Sequence, residues 1–178
     1  FGFDNIGPVE YFYGIPSSLR SDGAKVYTVQ VSAANSTEVR GEQLLTQVKQ
    51  ILAATGAKKV NLMGHSHGGP TARYIASVRP DLVASVSSIA GVNKGSAVAD
   101  ILTKVAPPGS ISNAVISSVT NGLATVINFL SGGRGLSQNS NAALASLSTA
   151  GSTKFNNAHP EGIPTSACGQ GAASVNGV

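Results

Sequence analysis

Ser66 stands between two histidines, with a glycine two places away on either side: Gly64-His65-Ser66-His67-Gly68. A serine in that setting can attack an acyl carbonyl, provided a strand precedes it and a helix follows. Both are expected here. "KKVNLMG" is a short apolar run suited to a buried parallel strand, and "GGPTARYIASV" places Ala72, Ile75, Ala76 and Val78 at helical spacing before Arg79-Pro80-Asp81 breaks it. A sharp strand-to-helix turn strains the serine and crowds its neighbours, so both flanking glycines are expected to be there because side chains would not fit. The turn would expose the hydroxyl, and the amides opening the helix would favour an oxyanion beside it. On this reading Ser66 is the nucleophile and the backbone N–H of His67 an oxyanion donor.

The other candidates fit less well. A general-base imidazole must approach the hydroxyl from a separate loop, so the rings of His65 and His67 are read as supports around the turn. His-x-His lacks the further ligands that zinc needs. Ser66, Asp100 and His159 come in the chain order such sites use. However, Asp100 falls inside a predicted helix and His159 precedes a proline in the tail, so neither is assigned a catalytic role.

The elements that must hold the serine follow from periodicity. Residues 24–32, "AKVYTVQVS", alternate after Asp22-Gly23 and predict a strand. Cap candidates at 35–38 precede a helix in which Val39, Leu44, Leu45, Val48, Ile51 and Leu52 share a face, and Gly56 stops it. Residues 82–91, "LVASVSSIAG", predict another strand. Strand, helix, strand, helix, strand implies parallel crossover units, an α/β sheet flanked by helices.

After Gly95 the texture changes. "SAVADILTKV" predicts a helix that Pro107-Pro108-Gly109 stops. An uncharged stretch follows in which Ile111, Val115, Val119, Leu123, Val126, Ile127 and Leu130 form an apolar stripe. Its Ser, Thr and Asn residues exclude a membrane span. A core-facing helix and a mobile apolar cap both remain compatible with the pattern. Residues 131–141 are expected to be a connector, 142–147 a short helix, and the tail irregular. The division is a core at about 1–105, a cap or lid region at about 106–150 and a tail at 151–178.

At 178 residues, 42% of them hydrophobic, the chain fits one domain. Charged residues make up 11%, below the usual quarter or so, a balance typical of secreted proteins. The net charge of +4 comes from scattered basic residues with few aromatics between them, which argues against a nucleic-acid surface. No transmembrane segment and no export signal are read in the chain. Cys168 is either a free thiol or has a partner outside this chain.

Three stretches resemble the secreted bacterial triacylglycerol lipases of the Pseudomonas and Burkholderia type. They are "FGFDNIGPVEYFYGIPSSLRSDGAKVYTVQVS", "EVRGEQLLTQVKQILAATGAKKVNLMGHSHGGPTARYIASVRPDLVASV" and "FNNAHPEGIPTSACG". The resemblance implies an α/β-hydrolase fold with a helical lid at about 110–130. It implies an internal fragment, with a second oxyanion amide expected before Phe1. The catalytic Asp and His, a structural calcium site and the second half-cystine, for Cys168, are expected after Val178. It also implies a lipase acting on lipid esters at an oil-water interface, and a dedicated folding chaperone. A short-chain carboxylesterase and a catalytically incompetent fragment are the alternatives. Val92 and Asn93 depart from the Pro-His that many members carry there, which bears on substrate preference.

Overall fold

The computed structural model describes residues 5, 6, 8–130, 135–164, 166 and 168–178. A short antiparallel ribbon opens the chain, β1 (Asn5–Ile6) against β2 (Val9–Glu10), followed by helix α1 (Ile15–Ser21). Helix α2 (Thr37–Thr55) starts where the Ser36 side chain accepts from Val39 N–H, and it ends at Gly56 in the left-handed region, φ 69°. These are the local start and stop signals that the sequence carries.

Strand β3 (Val60–His65) leads into helix α3 (Gly68–Val78), a single 3-10 turn at Pro80–Leu82, and strand β4 (Val83–Ile89). β3 and β4 pair in parallel, from Val60 opposite Val83 to His65 opposite Ile89. Helices α2 and α3 pack together, and Val31, Leu44, Leu45, Val48, Leu52, Leu62, Ala72, Ile75 and Val83 form the buried core between them and the sheet. Gly41 lets the two helices come close, since a Cβ there would run into the Tyr74 ring. The Tyr74 hydroxyl donates to Glu42 Oε1 at 2.6 Å, and this bond pushes its pKa up to about 12.

The strand expected at 24–32 does not form. Residues 24–32 join no ladder among the described residues, and side-chain amides of α2 bond to part of this backbone. Gln47 Oε1 accepts from Gln30 N–H at 3.2 Å and Gln43 Oε1 from Ser32 N–H at 2.7 Å, while Gln47 Nε2 donates to Gln30 C=O. Alternation supplied the faces of a strand, but a strand also requires a neighbouring backbone.

Four more helices follow: α4 (Ala97–Val105), α5 (Ile111–Leu130), α6 (Ser140–Leu147) and α7 (Thr149–Ala158). The tail expected to be irregular from 151 therefore begins as a helix. Ser148 caps α7 by accepting from Gly151 N–H at 3.0 Å, and Asp100 accepts from Thr149 N–H at 2.8 Å. Residues 131–134, the first part of the expected connector, lie outside the described residues, as does Phe1.

α5 turns Asn113, Ser117 and Asn121 toward the protein. Asn113 is buried and bonded to Ala106 C=O and to Asn141 of α6, Ser117 Oγ donates to Asn141 Oδ1 at 2.7 Å, and Asn121 Oδ1 accepts from Ser140 N–H. Ile111, Val115 and Ile116 are exposed, by 86%, 59% and 45%. A core-facing helix would bury such residues. The side chains of Val119, Leu123, Val126, Ile127 and Leu130 lie outside the described ones. No described helix is long and apolar enough to cross a membrane.

Candidate active site

Ser66 sits where β3 gives way to α3, with φ 55°, in the left-handed region that costs a non-glycine residue roughly 1–2 kcal/mol. Three backbone hydrogen bonds hold it there. Its N–H donates to Ile89 C=O at 3.1 Å, and its C=O accepts from Gly69 N–H at 3.1 Å and Val92 N–H at 3.3 Å. The residue is half-buried. The loop after β4 thus grips the turn from the side, and Ala90 in that loop is also left-handed, φ 45°. Such paired strain is maintained by surrounding structure and is common at functional sites.

The glycines have different reasons. A Cβ on Gly64 would collide with the Gly68 carbonyl, so that position must be bare. At Gly68 a Cβ would meet nothing within 4 Å, which corrects the expectation that both flanking glycines are sterically required. The crowded position is Gly69, whose Cβ would run into Ser88 Oγ and lie 3.1 Å from Gly91 Cα. It lies three residues from Ser66 and lets α3 close against the loop after β4.

Both histidine rings beside Ser66 are engaged with other side chains. His65 Nδ1 pairs with the Tyr11 hydroxyl at 2.7 Å, and His67 Nε2 pairs with Thr37 Oγ1 at 2.9 Å. His67 is buried, and burial first, then the nearby Arg40 charge, holds its pKa well below 6.5. Its ring is therefore neutral. Thr71 reaches back to His67 C=O through its N–H at 3.3 Å and its hydroxyl at 2.8 Å. Among the described residues nothing accepts from the His67 N–H, which lies at the start of α3.

Asp100 and His159 are occupied elsewhere. Asp100 Oδ1 and Oδ2 accept from Thr149 N–H and Oγ1 at 2.8 and 2.6 Å, which ties α4 to α7 and lowers the carboxyl pKa. His159 ends α7, pairs through Nδ1 with Ser77 Oγ at 2.9 Å, and packs edge-on against Tyr74. Arg73 of α3 holds this end of α7 by donating to Asn156 Oδ1 and His159 C=O at 3.0 and 2.9 Å. Cys168 is exposed and forms no disulfide among the described residues.

The layer beneath the turn, Thr37, Arg40 and Thr71, belongs to no sequence motif. A signal was available. Arg40 heads the buried stripe Leu44, Val48 and Leu52 at four-residue spacing, so a charge stood on an apolar face.

Comparison with known proteins identifies the fold. A triacylglycerol lipase of Vibrio cholerae serotype O1 is 64% identical over 178 residues, which is all of this chain and 57% of that protein. A triacylglycerol lipase of Pseudomonas fragi is 44% identical over the same span, 61% of its length. The chain thus spans somewhat over half of these relatives. The crystal structure of Bacillus licheniformis lipase BlEst2 in mature form matches the fold with a TM-score of 0.51 at 18% identity, over 75% of this chain and 45% of that one. The sequence model of the alpha/beta hydrolase fold matches residues 5–178, and with the strand-turn-helix at Ser66 this places the chain in the α/β-hydrolase family.

Proposed function

We propose that this chain is the nucleophile-bearing part of a secreted triacylglycerol lipase. Ser66 Oγ attacks the ester carbonyl carbon, and the tetrahedral oxyanion accepts from His67 N–H. A histidine outside this chain, oriented by an aspartate also outside it, takes the serine proton and returns it to the departing alcohol. Water then attacks the acyl-enzyme, releasing the fatty acid and restoring the serine.

The observation that carries the reading is the left-handed Ser66 at a strand-to-helix turn whose Gly64 has no room for a side chain. The lipases of Vibrio cholerae and Pseudomonas fragi support lipid esters as the substrate class. The outward apolar face of α5 supports action at a lipid surface, with α5 as a lid, over a preference for dissolved short esters. Structural calcium and a folding chaperone belong to the proposal for the whole protein. Among the described residues no group of three His, Cys, Asp or Glu could hold a metal ion, and the calcium ligands are expected outside them.

The test is to react the full-length protein with a serine-directed organophosphonate and map the adduct. Ser66 is expected to carry it and Ser66→Ala to abolish both labelling and ester hydrolysis. Labelling at another residue ends the assignment.

A further inference from the structure

Beneath the turn lies a cation that the proposed chemistry does not use. Arg40 is 2% exposed and sits in the first turn of α2, where the helix dipole disfavours positive charge. Its Nε donates to Thr71 Oγ1 at 3.3 Å, and its Nη1 donates to the carbonyls of Ser32 and Ala33. All of these acceptors are uncharged, and the ion pair seen among the described residues, Arg79 with Asp81, lies elsewhere. Burial lowers the guanidinium pKa only to about 10, so it stays charged at neutral pH. A buried charge without a counter-charge is a poor way to stabilise a fold, and a packed apolar side chain would serve better.

The contacts of Arg40 lead to the turn. Thr71, which accepts from Arg40, donates its hydroxyl to His67 C=O at 2.8 Å, while Thr37, from the same turn of α2 as Arg40, holds the His67 ring. His67 is thus fixed at its carbonyl and at its ring, while the peptide that carries its N–H is held on the far side through Ser66 C=O.

We infer that Arg40 is a positioning residue: through Thr71 it holds the His67 carbonyl, and with Thr37 at the ring this fixes the His67 α-carbon, so that the amide on its other side, following Ser66, stays aimed at the oxyanion. The inference deepens the proposed function and rests on it. A merely structural role would change stability; a positioning role changes the rate of the chemical step while substrate binding stays the same.

The experiment uses the full-length protein and a soluble ester. Thr71→Val, Thr71→Ser and Arg40→Met are compared with wild type by kcat, KM and the rate of phosphonate labelling at Ser66, with a urea melt of each. Thr71→Val and Arg40→Met are expected to lower kcat and the labelling rate by about tenfold or more, with KM within about twofold. Thr71→Ser, which restores the hydroxyl, is expected to recover most of the loss. Wild-type rates in Thr71→Val, or a Thr71→Ser no better than Thr71→Val, overturn the inference, and the Thr71 pair decides the matter if Arg40→Met does not fold. Wild-type labelling away from Ser66 overturns the proposed function and this inference together. Labelling at Ser66 with an unaffected Thr71→Val removes the role of Arg40 alone.

Discussion

Alanine at Gly64 and alanine at Gly68 should have opposite effects, although the two glycines hold equivalent places around Ser66. At Gly64 the new methyl would run into the Gly68 carbonyl and lie 2.8 Å from Gly69 N. Both obstacles are backbone atoms of the first turn of α3, which cannot swing aside as a long side chain can. Overpacking of this kind costs about 1–3 kcal/mol. At Gly68 the methyl meets open space, and φ is outside the left-handed range, so alanine there stabilises by about 0.4–1 kcal/mol by restricting the unfolded chain. The two variants should therefore differ by roughly 1.5–4 kcal/mol in urea denaturation of the full-length protein, with Gly68→Ala the more stable. Phosphonate labelling of Ser66 should slow in Gly64→Ala and persist in Gly68→Ala. Equal destabilisation by the two substitutions would refute the account of the turn.

Three further outcomes are expected. His67 is held neutral, so below its ordinary pKa of 6.5 the unfolded chain binds the proton that the folded one refuses. Its stabilisation is complete above that pH and falls below it by up to about 1.4 kcal/mol per pH unit. His67→Gln should remove that slope between urea melts at pH 5.5 and 7.5, and unchanged slopes would show the ring is not buried neutral. Asp100, whose hydrogen bonds to Thr149 lower its pKa, ties α4 to α7 above about 3.8, and the tie is lost as pH falls through the folded value. Asp100→Ala should lower the melting temperature while Ser66 still takes the phosphonate; abolished labelling would give Asp100 a part in the chemistry. Val115→Asp on the exposed side of α5 should leave stability within about 0.5 kcal/mol and reduce hydrolysis of emulsified triacylglycerol more than that of a dissolved ester. Equal losses on the two substrates would dispose of the lid.

What the sequence made legible was what local rules govern. α2 announced itself through its Ser36 cap, its apolar stripe and the left-handed Gly56. The β3–α3 turn was legible because five residues and their flanks encode both its strain and its exposed serine. The strand at 24–32 failed because alternation describes one strand and a ladder needs two. α7 was hidden by a composition suited to loops, and one of its capping acceptors, Asp100, lies 49 residues earlier in the chain. For α5 the period gave two faces but not which of them turns inward. That choice rests on Asn141 and Ser140, which belong to another helix. Arg40 shows the reverse case, a visible irregularity in a clean stripe whose meaning required the third dimension.

Among the described residues the seam between α5 and α6 carries hydrogen bonds of amides and hydroxyls: Asn113, Ser117 and Asn121 with Ser140 and Asn141. Every partner lost when the helices separate can be replaced by a solvent molecule, at a net loss of about 0.5–1.5 kcal/mol per bond. None of these groups ionises near neutrality. For these bonds, parting is therefore an exchange of one set of hydrogen-bond partners for hydration, indifferent to acidity and to dissolved electrolyte.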